Sequence, residues 1–396
     1  MPWKECFKMD ERMKFISRLL EGEKMSELSR EFGISRKTGY KLWSRYQATG
    51  IHGLTDRSRR PIRYAHQIPP EVQTCIIRVK KEKPHWGALK IRERIAKKYP
   101  DLPLPAKSTV HALLDKAGLV KRHKRKSRPR AQGTSLSIPQ TPNDLWCADY
   151  KGQFQLGNHQ YCYPLTITDF ASRYLLACEG LETTQEQYAF QVFERTFEEY
   201  GLPLAIRTDN GVPFASPFAL FGLSKLSVWW LRLGIKLERI QPGHPEQNGR
   251  HERMHRTLKK ETTRPAAQTL LQQQMKFDDF HDEFNTERPH QALHMKCPAE
   301  VYARSPRPYQ GLPEIEYPFH DKTLTVTHCG RICLGGKKIQ FSKVFAGQNV
   351  GLKETDEGIW LVSFTDYDLG YFDVDFKKFV PLDNPFGPNL LPMSSV

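Results

Sequence analysis

The chain of 396 residues lacks the features of a membrane protein and of a disulfide-stabilised secreted one. Its longest aromatic cluster, Val228 to Leu231, is far shorter than the roughly 20 apolar residues that a spanning helix needs. No charged-then-apolar leader opens the chain, and the eight cysteines are scattered without a CxxC pair. We therefore expect a cytoplasmic protein with reduced thiols, divided into roughly two to four domains.

Acidic residues are also in short supply relative to basic ones. The chain has 60 Lys and Arg against 44 Asp and Glu, which gives a formal net charge of +16. This excess of positive charge indicates a polyanionic partner but says nothing about the fold. Nucleic acid is the partner that we expect.

Three helical patterns between residues 9 and 46 predict a helix-turn-helix DNA-binding domain over residues 1–54. The turn is expected at Gly33, and Ser35 is expected to cap the third helix. Gly39 inside that helix costs about 1 kcal/mol relative to Ala, which counts against the assignment. A small structural helical hairpin is the alternative. Because a recognition helix reads DNA from its early turns, the predicted DNA contacts are Arg36, Lys37, Lys41 and Arg45.

Further helical patterns predict a second helix-turn-helix domain, possibly winged, over residues 65–120. Ser108 is expected to cap its last helix and Gly118 to end it. Residues 121–142 are interpreted as a basic linker, because seven of the ten residues from Lys121 to Arg130 are Lys or Arg. Such a run is usually a solvated linker, and it can also track phosphates. The DNA contacts expected here are Lys121, Arg122, Lys124, Arg125 and Lys126.

Three acids stand in contexts that together predict a metal site. Asp149 lies in a strand-like run, and Asp209 follows a short apolar run that reads as a buried strand. Ligand sites favour the carboxyl ends of such strands. Glu252 lies in a predicted helix whose exposed face is basic. Two divalent cations, about 3.5–4 Å apart, need carboxylates from several elements to promote attack on a phosphodiester.

The segments LWCADYKG, RTDNG and PGHPEQNGRHERMHRTLK, which contain these acids, resemble the DDE signature of integrases and bacterial insertion-sequence transposases. Residues 284–302 resemble the segment that closes the catalytic domain of the integrase-like transposases. One departure is the interval of 42 residues between Asp209 and Glu252 (252 − 209 − 1), which is longer than in retroviral integrases. A helix over residues 221–235 is expected to absorb the difference, and Glu246 is a minority candidate for the third acid.

The resemblance implies a DDE-type transposase that binds transposon ends and catalyses strand cleavage and strand transfer. It implies a ribonuclease-H-like α/β catalytic core, placed at residues 143–305, in which the strands of Asp149 and Asp209 are neighbours. Asp149, Asp209 and Glu252 would be the catalytic residues and the ligands of two Mg²⁺ ions, for which Mn²⁺ can substitute. The partner would be double-stranded DNA, as terminal repeats and target DNA, bound by a homo-oligomer on paired ends. The protein would be intracellular and nucleoid-associated. DNA contacts near the metals are expected at Asn248, Arg250, His255, Arg256 and Lys259.

Other patterns complete the multidomain prediction and supply the alternatives. Alternating apolar and polar residues between Gly-rich turns predict a small C-terminal β-barrel over residues 318–382. Asp169 has a good strand context but does not match the motif, so we expect it to be structural. The residues from His251 to His255 match HExxH, the zinc-peptidase motif, although no third zinc ligand follows at a suitable spacing. A DNA-binding regulator derived from a transposase, without catalysis, is the other alternative.

Overall fold

The computed structural model describes residues 7–56, 68–121, 136–242 and 244–387. The chain divides into two compact units, Met1–Pro69 and Pro70–Val396. Within the described ranges, no helix is long and apolar enough to cross a membrane. Most of the predicted basic linker, including Arg122, Lys124, Arg125 and Lys126, lies outside the described residues.

The first unit is a three-helix domain, as predicted. Its helices are α1 (Lys8–Leu20), α2 (Met25–Glu31) and α3 (Arg36–Thr49). Apolar residues from all three helices form its core, among them Phe15, Leu28 and Leu42. The Ser35 hydroxyl accepts a hydrogen bond from the backbone N–H of Thr38 at 3.2 Å, which confirms the predicted cap of α3.

Gly39, which the helical pattern disfavours, has a packing role. It is buried in α3, and a Cβ added there would lie 2.6 Å from Met25 Sδ and 3.1 Å from Phe15 Cζ. The missing side chain therefore lets α3 pack closely against α1 and α2, which offsets the low helix propensity of glycine.

The second helical unit also has three helices. These are α4 (Pro70–Glu82), α5 (Ala88–Lys98) and α6 (Lys107–Lys116). Gly118 follows α6 with φ +70°, as expected of a helix-ending glycine. The predicted Ser108 cap is wrong, because α6 already begins at Lys107 and Ala106 is its N-cap residue. Residues 68–121 contain no strand, so this part of the chain offers no wing.

The second helical unit belongs to the same compact unit as the α/β core that follows it in sequence. Ion pairs join it to the residues that follow the core helix α10 (Leu270–Asp282): Lys83 to Glu283, Arg94 to Glu287 and Lys97 to Glu300. Trp86 is only 1% exposed, and the Arg94 and Arg288 guanidinium groups lie over its ring. These contacts attach α4–α6 firmly to the core.

The core is built on a mixed six-stranded sheet. Its strands are β1 (Leu145–Tyr150), β2 (Phe154–Gln155), β3 (Tyr161–Asp169), β4 (Leu175–Leu181), β5 (Ala205–Thr208) and β6 (Lys236–Arg239). β3 pairs antiparallel with β1, β2 and β4, whereas β1–β5 and β5–β6 are parallel pairs. The helices are α7 (Glu186–Tyr200), α8 (Lys225–Arg232), α9 (Gly249–Thr262) and α10 (Leu270–Asp282).

Apolar residues cover both faces of this sheet. On one face, Trp146 and Ile206 pack with residues of α7 and α8, including Phe197 and Trp230. Residues of α9 and α10 pack with β3 and β4 in a second apolar cluster, which includes Met254. A sheet covered on both faces explains why the strands read as nearly continuous apolar runs.

The long interval between Asp209 and Glu252 contains α8, which is shorter than the predicted helix over residues 221–235. Ser224 and Ser227 form a capping box that fixes its first turn. α8 is apolar on two sides: Leu226 faces the core of the mixed sheet, while Leu231 belongs to the apolar core of the C-terminal strands. The interval thus supplies the helix that joins the two cores.

The C-terminal region is all β, as predicted, but its sheets are open. Its strands are β7 (Lys322–Thr325), β8 (Arg331–Leu334), β9 (Lys337–Gln340), β10 (Asn349–Asp356), β11 (Ile359–Phe364), β12 (Tyr367–Asp373) and β13 (Lys378–Pro381). Five of them pair in the order β13-β12-β11-β10-β7, while β8 and β9 form a separate hairpin. The predicted β-barrel is therefore not confirmed: among the described strands, the edge strands β7 and β13 do not pair with each other, and the apolar face is covered by the hairpin and α8.

Candidate active site

The carboxyl ends of two neighbouring parallel strands carry the first two acids. Asp149 is the penultimate residue of β1, and Asp209 follows the last residue of β5. Cys147 pairs with Arg207, so the same register continued by two residues brings Asp149 level with Asp209. The predicted neighbourhood of these two strands is confirmed.

The turn after β5 holds the Asp209 carboxylate in place. Its Oδ1 accepts a hydrogen bond from the backbone N–H of Gly211 at 3.1 Å, while Asn210 Nδ2 donates to the carbonyl of Ile240 at 2.8 Å. A Cβ added at Gly211 would lie 3.2 Å from Asp209 Oδ2. A side chain at this position would therefore crowd the carboxylate.

Both aspartates sit where negative charge is unfavourable. Burial, and then the neighbouring Asp209, raises the pKa of Asp149 to about 7, and Glu252 adds to the effect. Burial also raises the pKa of Asp209, against the lowering effect of its hydrogen bond from Gly211. Within the described residues, neither carboxylate forms an ion pair with a lysine or arginine. Lys151 opposes the rise in the pKa of Asp149 but does not offset it.

Glu252 lies on the exposed side of α9, close enough to act electrostatically on β1 and the residue that follows it. Burial and then Lys259 lower the pKa of Lys151, whereas Asp149 and Glu252 raise it. Two lysines and two of the acids therefore share one electrostatic neighbourhood, and Asp209 enters it through its effect on Asp149.

Two buried histidines of α9 face the strands behind Asp149. The Thr166 hydroxyl lies 2.7 Å from His251 Nε2 and 2.6 Å from His255 Nε2, and Thr168 Oγ1 lies 2.9 Å from His251 Nδ1. Burial lowers the pKa of His251 to about 3 and holds the pKa of His255 well below its usual value, so both rings are neutral. The Thr166 hydroxyl also donates to the carbonyl of Asp149 at 3.1 Å.

The hydrogen-bond pattern fixes which ring nitrogens carry protons. Because Thr166 donates its one proton to the Asp149 carbonyl, both Nε2–H groups must donate to the Thr166 oxygen. His255 Nδ1 is then unprotonated, and it lies 3.6 Å from Asp149 Oδ2. Asp149, His251 and His255 each offer a ligand atom within 4.8 Å of the others, so these three side chains could hold a metal ion. Asp149 is thus the residue that completes a possible three-ligand group with the HExxH pair, which sequence spacing alone does not reveal.

Asp169 has the structural environment expected for it. It is 1% exposed, and its carboxylate accepts hydrogen bonds from the backbone N–H of Asn143 and from the N–H and hydroxyl of Ser172, all at 2.6–2.7 Å. These bonds tie the entry of β1 to the turn after β3.

The predicted DNA contacts divide by exposure. Arg36, Lys37, Lys41, Lys121, Arg250, Arg256 and Lys259 are exposed, and Arg45 is half-buried. Asn248 and His255 are only 6% and 5% exposed, so their side chains do not lie on the surface where DNA would contact them. Asn248 lies at the amino end of α9, and His255 faces Thr166 and Asp149. The side chain of Glu246 lies outside the described residues.

Thr166 and Thr168 are the site residues that sequence reasoning missed. They alternate along β3, so their hydroxyls lie on one face of the strand, and Thr166 pairs directly with Asp149 across β1. The sequence signal for them is the pair of threonines at alternate positions among the apolar residues Leu165 and Ile167 of β3. The buried histidines that they contact are distant in sequence, which hid the connection.

Comparison with known families agrees with this architecture. The Integrase core domain family matches residues 139–245 and, through a second family of the same description, residues 233–298. A Helix-turn-helix domain family matches residues 11–62, and a Homeodomain-like domain family matches residues 38–114. The core matches cover the strands of Asp149 and Asp209 and the helix of Glu252.

Curated relatives come from mobile elements and retroviruses. The chain is 26% identical over 197 residues to the insertion element IS407 uncharacterized 31.7 kDa protein of Burkholderia multivorans, which covers 49% of this chain and 68% of that protein. It is 24% identical over 289 residues to the insertion element IS476 uncharacterized 39.2 kDa protein of Xanthomonas euvesicatoria, covering 72% and 80%. It is 27% identical over 189 residues to the Gag-Pol polyprotein of Baboon endogenous virus, a match that covers 47% of this chain and 10% of that polyprotein. The chain therefore carries helix-turn-helix domains followed by an integrase core domain, and it is homologous to these insertion-element proteins.

Proposed function

We propose that this protein is a DDE transposase, which binds the terminal repeats of its element and catalyses metal-dependent DNA strand cleavage and strand transfer. The observation that carries the proposal is the placement of Asp149 and Asp209 at the carboxyl ends of the paired parallel strands β1 and β5, with Glu252 close enough on α9 to act electrostatically on Asp149. The order of the acids along the chain and the mixed sheet support a ribonuclease-H-like core.

The donor set suits a hard divalent cation. Asp149, Asp209 and Glu252 offer carboxylate oxygens, which Mg²⁺ and Mn²⁺ prefer, and a cation would remove the repulsion between them. When bound, two such ions supply an activated oxygen nucleophile and neutralise the leaving oxygen of the phosphodiester. The three acids would be both the metal ligands and the catalytic residues.

The remaining parts of the chain would position DNA. Lys151 and Lys259 flank the acids and would hold backbone phosphates, while the exposed first turn of α3 would contact the terminal repeat. Water would attack the phosphodiester, and the bond to the 3′ oxygen would break. The freed 3′ hydroxyl would then attack a phosphodiester of the target DNA, and the 3′ oxygen of the target strand would leave. No covalent protein intermediate is required. We infer a homo-oligomer that holds two transposon ends together.

Two other functions are kept as alternatives. A DNA-binding regulator without catalysis would need the helix-turn-helix domains but not three clustered acids. A zinc enzyme is favoured by one observation, the group of Asp149, His251 and His255. Against it, both Nε2 atoms and His251 Nδ1 already have threonine partners, so His255 Nδ1 is the one ring nitrogen of this pair left to bind an ion beside Asp149.

The test is the metal dependence of cleavage by the purified chain. Duplex DNA carrying the terminal sequence of the source element is incubated with Mg²⁺, Mn²⁺, Zn²⁺ or EDTA, and bound metal is measured in parallel. We expect new 3′ hydroxyl ends with Mg²⁺ or Mn²⁺ and none with EDTA. One tight zinc per chain, lost in His251→Ala, would favour the zinc enzyme, and DNA binding without cleavage under every condition would favour the regulator.

A further inference from the structure

A separate cavity lies on the other side of α9 from Glu252. It has a volume of 230 Å³ and is walled by α5, α9, the turn after β3 and the segment that follows α10. None of the three acids proposed for catalysis lines it. Its floor is apolar and includes Phe170, Met254 and Phe284, whereas its rim is strongly basic.

Five cationic side chains from four parts of the fold converge on this cavity: Lys90, Arg173, Arg250, Arg253 and Arg288. Its one acidic side chain, Asp169, already accepts three hydrogen bonds from Asn143 and Ser172. The cavity therefore has a large excess of positive charge.

Most of these cations have no acidic partner. Within the described residues, the side chains of Lys90, Arg173 and Arg253 form no ion pair or hydrogen bond. Arg250 stacks 3.9 Å above the Phe170 ring and donates to the Phe170 carbonyl at 3.1 Å, which leaves its charge uncompensated. Arg288 alone is paired, with Glu261 at 2.9 Å.

The crowding of these cations is energetically unfavourable in the absence of an anion. Burial and then Arg288 lower the pKa of Lys90 to about 8, and burial followed by Arg250 and Arg253 lowers the pKa of Arg173. His290 also lines the cavity, and among the described residues its buried Nε2 has no hydrogen-bond partner. An anion with several oxygens would neutralise the cations and give this nitrogen a partner.

We propose that this cavity is a binding site for a phosphate group, separate from the acid cluster. Its volume is below the roughly 300–1,000 Å³ of pockets for drug-sized ligands, so it suits one phosphate with its attached sugar rather than a large cofactor. The phosphate can belong to a DNA strand or be a free anion, since both present the same oxygens to the arginines. His251 and Thr168 line the cavity and also join the hydrogen bonds behind Asp149, so one histidine ring separates the two sites.

The test is phosphate binding by the full chain in EDTA, which keeps any metal at the acids from contributing. Inorganic phosphate is titrated calorimetrically into the native chain, Arg253→Gln and Arg173→Gln. We expect each variant to bind about tenfold more weakly, because it loses a charge-assisted hydrogen bond. The matched control is Lys260→Gln, which removes an exposed cation from the same helix without touching this cavity, and it should bind like the native chain.

Three results would overturn the proposal: no binding by the native chain at millimolar phosphate, equal affinity in all four proteins, or equal binding of a nucleoside that lacks phosphate. Arg253 is exposed, so its substitution should leave the fold intact, which circular dichroism checks. Short duplex DNA is then added to the phosphate-loaded native chain. Displacement of phosphate identifies the DNA backbone as the source, and retention identifies a free anion. Either result is independent of whether the acids cleave DNA.

Discussion

At the residue scale, Asp149 makes the stability of the chain depend on pH. Its pKa is raised from 3.8 to about 7 in the folded protein, so its favourable contribution is complete below pH 3.8 and is lost as the pH rises through 7. The shift of roughly three pKa units corresponds to at most about 4 kcal/mol. A bound cation would remove this loss by favouring the charged carboxylate.

We therefore predict that Asp149→Asn is more stable than the native chain at pH 8 in EDTA, and that the difference shrinks towards pH 4. The buried neutral His251 has the opposite effect: its contribution to the free energy of unfolding is lost as the pH falls from 6.5 through about 3. This loss occurs in both proteins, so it does not change the difference between them. Urea denaturation across this range measures the difference. Asp282→Asn, at a side chain 84% exposed, is the control and should track the native chain. A constant offset between Asp149→Asn and the native chain would contradict the assignment.

The two threonines behind Asp149 should differ in importance. Thr166→Val leaves the Nε2 atoms of both His251 and His255 without a partner, whereas Thr168→Val affects only His251 Nδ1. Because each buried polar atom without a partner costs about 1–3 kcal/mol, we expect roughly 2–4 kcal/mol for the first substitution and about half of that for the second. Urea denaturation at pH 8 checks this order. Equal losses would mean that Thr166 does not serve both rings.

The residues of this site differ in how far the sequence reveals them. Asp209 stands out because the glycine after its turn and the apolar strand before it are local signals. The Ser35 cap is local too, whereas Ser108 shows the limit of such signals, since α6 starts one residue too early for it. Apart from its hydrogen bond to the Asp149 carbonyl, Thr166 contacts histidines 85 and 89 residues away, and no local pattern carries that distance.

At the element scale, α8 is the helix on which the C-terminal sheet depends. Leu231 is 2% exposed and packs in the core of that sheet, so Leu231→Ala should cost about 2–5 kcal/mol. Denaturation measures the loss, and limited proteolysis should show earlier cutting between β7 and β13. Leu271→Ala on α10, where the side chain is 76% exposed, is the control and should change stability by less than about 0.5 kcal/mol. Protection from proteolysis in Leu231→Ala would contradict this role of α8.

The sequence predicts most helices and strands, but it does not show whether the C-terminal strands form a closed barrel or an open sheet. Alternating residues reveal those strands, yet whether β7 meets β13 depends on what covers their apolar face. That cover comes partly from α8, which ends 90 residues before β7 begins (322 − 232). The apolar run of α8 predicts a helix. The sequence does not show that its apolar residues pack in two different cores, because both sets look the same in the apolar pattern.

At the scale of the whole molecule, the chain forms two compact units rather than a set of separate domains. The first unit has its own apolar core and a capped α3 with exposed Arg36 and Lys37. The second helical unit was expected to be separate but is tied to the core by Arg94, Trp86 and their partners. The lysines and glutamates that form these ion pairs lie about 200 residues apart in sequence. The local helical pattern therefore predicts a separate domain and does not reveal the contacts with the core.

The central claim is that Asp149, Asp209 and Glu252 act together in cleavage while other surfaces bind DNA. The most direct measurement compares nicking in Mg²⁺ and gel-shift affinity, on the same terminal-repeat DNA, for the native chain, Asp149→Asn, Asp209→Asn and Glu252→Gln. We predict that each substitution abolishes nicking and leaves DNA affinity close to native, because it removes a metal ligand but no cationic side chain. Undiminished nicking by Glu252→Gln would contradict the account and transfer the third role to Glu246.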